Sequence, residues 1–240
     1  REITKKLPQY KYVYLGDTQR APYGSHSQET IYQYTSQAVD FLFQRGCFLV
    51  IIACNTASSE ALRKLQKNFP KRKTLGVIMP ACEEAVIKTT NKKIGVIATE
   101  SAVSSGAFLR ELKKLNPKAK IFQKACPLLA PLIEAGEQNS ILTKLYLKEC
   151  LSPLLGKGID TLILGCTHYG LVENKIKQIL PKRIKIVSEG KIVAEKLKQY
   201  LARHPEIEKQ LKKENSVEFL TTGLTEKFAT LGSKFFGKTI

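Results

Sequence analysis

Short apolar runs alternate along the chain with longer stretches whose apolar residues recur every three or four positions. The runs are rich in β-branched residues: KYVYLGD (11–17), FLVIIACN (48–55), TLGVIMP (74–80), KIGVIAT (93–99), AKIFQKA (119–125), DTLILGCT (160–167), IKIVSEG (184–190) and VEFLTTG (217–223). Each predicts a strand. Between them, 27–46 has Ser27 as N-cap, Glu29 in its first turn and Gly46 as a stop. Residues 58–69 put Ala61, Leu62 and Leu65 on one stripe ahead of Pro70, and 105–115 behaves alike. These stretches predict amphipathic helices. At the start, Ile3 and Leu7 lie four apart ahead of Pro8, which predicts the last turns of a helix whose beginning precedes the chain as given. Strands that are apolar throughout are buried on both faces. The pattern therefore predicts an α/β protein with mostly parallel sheet flanked by helices.

Sheets of this kind bind ligands at the carboxyl ends of their strands. Four runs end there in polar residues: Gly16-Asp17-Thr18, Cys54-Asn55-Thr56, Thr99 with Ser101, and Cys166-Thr167-His168. Two of these ends couple a cysteine with a threonine, far apart in sequence, and predict two similar half-sites facing each other. His168 follows Cys166 by two residues. On an extended backbone that spacing projects both side chains to one side and can bring the imidazole near the thiol's substrate.

Length and composition bound the reading. The chain has 240 residues, 43% of them hydrophobic, enough for one large domain or two of ~100–120 residues. Its cysteines are Cys47, Cys54, Cys82, Cys126, Cys150 and Cys166, with no C-x-x-C pair. A zinc framework is therefore not expected, and a chain of this size needs no disulfide staples. Cys47, Cys82, Cys126 and Cys150 read as small buried hydrophobes. Cys54 and Cys166, each followed by hydrogen-bonding side chains, are candidate thiolates. No apolar run reaches the ~18–20 residues of a membrane span and no signal peptide opens the sequence, so the cytoplasm is the expected compartment. The formal net charge of +18 brings nucleic acid or an anionic small molecule into view. The lysines are scattered, however (Lys5, Lys6, Lys92, Lys93, Lys113, Lys114, Lys212, Lys213), and no nucleic-acid motif accompanies them. A solvated basic surface is the plainer reading.

The chain has no G-x-G-x-x-G, Walker loop or H-E-x-x-H, so neither cofactor nor metal is expected. A cysteine protease uses one cysteine and would leave the second strand-end cysteine unexplained. Two bases on opposite faces of one carbon suit a racemase: one removes the α-proton, and the other, as a thiol, delivers a proton to the far face.

GDTQRAPYG (16–24), ACNTAS (53–58), CPLLAPLIEAG (126–136) and LGCTHYGLVE (164–173), with TTG (221–223), together resemble glutamate racemase, a cofactor-independent bacterial cell-wall enzyme. The resemblance implies two similar α/β domains with the active site in the cleft between them. The expected lobes are 1–91 plus 200–240, and 92–199, with 217–223 returning to the first. The resemblance also implies that Cys54 and Cys166 are the catalytic acid/bases, the first acting on D-glutamate and the second on L-glutamate, with D-glutamate going to peptidoglycan. Tyr23, Gly24, Asn55, Thr56, Thr99, Thr167 and His168 would bind substrate or assist the thiols, and Ser101 would add a hydroxyl contact. His168 would be the auxiliary of Cys166, and Glu134 a further one. In one respect the chain departs from the family, which opens with a strand and an Asp-Ser-Gly loop that serve the first cysteine and the substrate. REITKKLP matches the helix after that loop, so the chain as given is expected to lack a strand and an acidic helper and to be a poor catalyst. Aspartate racemase is the alternative with the same fold and two cysteines, but it carries an acidic residue where this chain has His168. A non-catalytic role in binding DNA gyrase or nucleic acid is an alternative of another class, and a homodimer is compatible with either.

Overall fold

The computed structural model describes residues 1–223 and 226–237. The chain begins with α1 (Glu2–Lys6), β1 (Lys11–Gly16), a 3-10 turn (Tyr23–Ser25), α2 (Gln28–Gln44), β2 (Leu49–Ile52), α3 (Asn55–Asn68), β3 (Lys73–Gly76) and α4 (Ile78–Lys88). It continues with β4 (Lys93–Ala98), α5 (Glu100–Ser104), α6 (Ala107–Leu115), β5 (Lys120–Ala125), α7 (Leu129–Glu134), α8 (Ile141–Gly156) and β6 (Thr161–Gly165). A second 3-10 turn (Thr167–Val172), α9 (Glu173–Ile179), β7 (Lys185–Val187), α10 (Glu189–Arg203), α11 (Pro205–Glu208), β8 (Ser216–Thr221) and α12 (Glu226–Phe236) complete it.

Every ladder among the described residues is parallel. Four strands form one sheet in the order β5-β4-β6-β7, while β1 pairs with β8 and β2 with β3 in two separate ladders. The pairing of β8 runs from Ser216 opposite Lys11 to Thr221 opposite Gly16, so the end of the chain returns beside its beginning. All five residues of β6 are buried, as its uninterrupted apolar run requires.

Local sequence explains most element limits. In α2, Ser27 accepts a hydrogen bond from the Thr30 N–H at 3.2 Å, and Ile31, Thr35, Val39 and Phe43 form its buried stripe. Three limits differ from the sequence reading. TLGVIMP is strand only to Gly76, because Pro80 falls in the first turn of α4, where a missing N–H costs nothing. The helix expected from residue 58 starts at Asn55. The helix expected over 105–115 starts at Ala107, with Gly106 as its N-cap at a φ of +64° that suits glycine.

Hydrophobic clusters join residues on both sides of 91/92 and of 199/200. Ile78, Ala81, Cys82 and Ala85 of α4 join Ile94, Val96, Phe108 and Leu112 against the four-stranded sheet. Leu197 and Leu201 of α10 join Leu7, Tyr10 and Ile207, with Leu49 and Leu75 packed alongside. Each helix presents its apolar stripe across the chain position where the lobe was expected to end. No helix among the described residues is long and apolar enough to cross a membrane.

Candidate active site

β2 ends at Ile52, and Cys54 is the N-cap of α3 with extended backbone. Its sulfur therefore lies beside the N–H groups of Thr56 and Ala57 in the first helical turn. Burial among the surrounding groups pushes the thiol pKa up, while the N–H groups of Ala57 and Thr56 and the Thr56 hydroxyl favour the thiolate. The Cys54 residue as a whole keeps an exposed face. Asn55 and Thr56 are both buried. Thr56 Oγ1 lies 2.9 Å from Thr99 Oγ1, and Thr99 in turn caps α5 by accepting from the Ala102 N–H. One hydroxyl pair thus ties the residue after β2 to the residue after β4. Gly24 lies against Thr99, where a Cβ would sit 3.5 Å from Thr99 Cβ. The Tyr23 hydroxyl donates to Asp17, which also holds Arg20 and the Thr222 hydroxyl. Ser101 is engaged elsewhere, donating to Glu60 at 3.2 Å.

The other thiol is built differently. Cys166 follows β6 and is 8% exposed. The chain then enters a 3-10 turn, not the extended backbone that the spacing argument assumed. The turn itself brings His168 Nδ1 to 3.6 Å from Cys166 Sγ. His168 Nε2 lies 3.1 Å from Glu134 Oε1, so thiol, imidazole and carboxylate stand in a row. Tyr169 pins the turn by donating to the Cys126 carbonyl at 2.9 Å, which fixes the segment that carries Glu134. Thr167 opens the turn and is exposed. Burial pushes the Cys166 thiol up to about 12, against the N–H groups of His168 and Tyr169; the Cys54 and Glu189 charges raise it further. A charge on Cys54 thus makes Cys166 harder to ionise.

Comparison with known proteins agrees with that geometry. The sequence model of the Asp/Glu/Hydantoin racemase family matches residues 1–197. The chain belongs to this family. It is 37% identical over 240 residues to glutamate racemase 2 of Caldanaerobacter subterraneus subsp. tengcongensis, covering 100% of this chain and 89% of that one. The crystal structure of glutamate racemase isoform RacE1 from Bacillus anthracis superposes with a TM-score of 0.92 at 34% identity, over 100% of this chain and 89% of that one. The glutamate racemase of Francisella tularensis in complex with D-glutamate does so with 0.90 at 30% identity, over 100% and 88%.

One residue of this racemase-family site escaped the sequence reading. Glu189 opens α10 and is 6% exposed. Its Oε2 accepts from Asn55 Nδ2 at 2.8 Å. Burial raises its carboxyl to about 8, with the Asn55 amide pulling the other way. The N-terminus of α10 favours a negative charge by ~0.3–1 kcal/mol, too little to offset burial of an unpaired carboxylate. The signal was available: Ser188-Glu189-Gly190 ends an apolar run as the other polar strand ends do. Cys82, Cys126 and Cys150 are buried in the cores and Cys47 packs against one. Among the described residues, no three His, Cys, Asp or Glu side chains converge as a metal centre needs. A cleft of about 440 Å³ between α3, α4, α6 and α10 is lined by Arg63, Arg110 and Lys114 among others, and by neither thiol.

Proposed function

We propose that this chain interconverts L- and D-glutamate without a cofactor, by moving the α-proton between two thiols. The observation that carries the proposal is a cysteine at each of two strand-to-helix junctions, Cys54 ahead of α3 and Cys166 after β6, with the Cys54 charge reaching Cys166. With D-glutamate bound, the Cys54 thiolate takes the α-proton and the C–H electron pair stays on carbon. The Cys166 thiol then gives its proton to the opposite face and is left as thiolate. L-glutamate runs the same steps in reverse, so each turnover exchanges the protonation states of the two sulfurs. Glu134 and His168 assist Cys166, while the N-terminus of α3 assists Cys54. Tyr23, Gly24, Asn55, Thr56, Thr99 and Thr167 supply hydroxyl, N–H and amide groups for the two carboxylates and the ammonium. The Francisella relative, in complex with D-glutamate, supports this substrate. The product D-glutamate feeds peptidoglycan synthesis in the cytoplasm.

The test is incubation with L-glutamate in deuterated water. Optical rotation should decay to zero as deuterium enters the α-position, while L-aspartate keeps its rotation. Loss of rotation by aspartate and not by glutamate would overturn the assignment.

A further inference from the structure

Glu189 has no role in the two-thiol scheme, yet it stands closer to its centre than a structural residue needs to. It is buried, and its Oε1 has no hydrogen-bond partner. The other end of the same pair has the same defect, since Asn55 Oδ1 is also buried without a partner. Between them runs a single hydrogen bond, from Asn55 Nδ2 to Glu189 Oε2. A carboxylate cannot cure either orphan, because it has no hydrogen to give. A carboxylic acid can cure both: a proton on Oε1 donates to Asn55 Oδ1 while Oε2 accepts from Nδ2, and acid and amide close a ring of two hydrogen bonds.

The surroundings favour the acid form as well. From the start of α3, Cys54 faces Glu189, as does Cys166 from the end of β6 and Cys82 from α4; each is made harder to ionise by a charge on Glu189. Glu2 of α1 lies beside the adjacent Gly190, and His168 stands on the 3-10 turn packed against α10. Lys6 of α1 pairs with Glu195 and Lys196 of α10 with Glu83, while Lys191 is exposed. Among the described residues no ion pair reaches Glu189, and burial holds its carboxyl at about 8.

We propose that Glu189 is a positioning residue for the racemisation: as an uncharged acid it locks the Asn55 amide beside Cys54 and keeps a further negative charge away from whichever sulfur is the thiolate. The proposal rests on the two-thiol reading of the site. When Glu189 loses its proton, one hydrogen bond of the ring breaks and both thiolates become harder to form. Activity should then fall on the alkaline side for a reason that belongs to neither the thiols nor the substrate.

Two readouts test this in the full chain. The first needs no turnover. With 13C-labelled glutamate residues and no substrate, one carboxyl carbon should titrate at about 8 and be missing from Glu189→Gln. The second compares variants with glutamate. Glu189→Ala leaves the amide unpaired and should lower kcat/KM by about tenfold at pH 7. Glu189→Gln can rebuild both hydrogen bonds and should recover most of that loss. Above the titration point the ratio of Glu189→Gln to wild-type kcat/KM should climb with pH, since Gln has nothing to lose. A purely structural residue would give parallel pH profiles. A Glu189 carboxyl titrating in the ordinary range near 4, or parallel profiles with Gln as damaging as Ala, would overturn the proposal. Neither result touches racemisation itself, which the wild-type assay reads separately.

Discussion

Cys54 and Cys166 occupy matching places, each directly after a parallel strand, yet they are supported in opposite ways. Cys54 caps a fourteen-residue helix, keeps an exposed face, and draws on N–H groups and a threonine hydroxyl. Cys166 caps a six-residue 3-10 turn, is buried, and has an imidazole within reach with a carboxylate behind it. The helix supplies fixed dipoles at no conformational cost but has no proton to give or take. The imidazole can accept or donate one, and it reaches Cys166, whose thiol burial holds at about 12. Under the proposed scheme a symmetric reaction rests on an asymmetric pair, one thiol at a helix start and one beside an imidazole.

The largest expected effect breaks each half in turn. Cys54→Ala and Cys166→Ala should each lower racemisation by about 10²–10⁴-fold, the range of a positioned acid or base. They should differ in what survives. Cys54→Ala keeps the base for L-glutamate and should wash solvent deuterium into L-glutamate without inverting it; Cys166→Ala should do so with D-glutamate only. Mass spectrometry after chiral separation reads both. Near-normal racemisation by either variant would end the two-thiol scheme.

A smaller effect sharpens the contrast between relay and dipole. His168→Asn removes the group between sulfur and carboxylate and should cost about 10–100-fold, the range of a hydrogen bond to a charged group, with Glu134→Gln at the lower end. The enantiomers have equal free energies, so kcat/KM must fall equally in both directions whichever side is damaged. The asymmetry has to be sought in isotope effects. With α-deuterated L-glutamate the effect should grow, because proton removal by Cys166 has become slower. With α-deuterated D-glutamate it should shrink, because removal by Cys54 no longer limits. Equal changes for the two enantiomers would mean that His168 serves both thiols.

Some of this was legible in the residues and some was not. The parallel α/β class followed from runs such as 160–167, whose residues could be buried only by cover on both faces. The two thiols followed from polar residues at strand ends. That His168 shares a side with Cys166 was expected for the wrong reason, since extended backbone was assumed and a 3-10 turn delivers the contact. Glu134 came from family resemblance, because its proximity depends on Tyr169 holding a segment more than thirty residues upstream. Periodicity carries no such information. Glu189 was missed because a glutamate at a helix start is ordinarily a solvated first-turn acid, and only the packing of α10 against the site makes it otherwise. The partners of α4 and α10 were out of reach for a related reason: both are amphipathic, and a stripe shows that a helix is buried but not against which sheet.

The smallest expected effect concerns the link between the two halves. Thr56 follows Cys54 by two residues, and its hydroxyl meets that of Thr99 at 2.9 Å. Thr99 also caps α5 through the Ala102 N–H. Thr99→Val keeps the shape and removes the oxygen, so it should cost about 1 kcal/mol, roughly fivefold in kcat/KM. Thr99→Ser keeps the oxygen and should cost little. The Ala102 cap alone cannot produce that pattern in catalysis unless it reaches the substrate. The Thr56 contact can, because the Thr56 hydroxyl is also one of the groups that favour the Cys54 thiolate. If the link works through that thiol, Thr99→Val should shift the acid limb of the rate profile to higher pH, since Cys54 becomes harder to ionise, and should leave the isotope effect with L-glutamate less changed than that with D-glutamate. A loss of stability with an unmoved pH profile would place Thr99 in the fold of α5 and leave the two thiols coupled by charge alone.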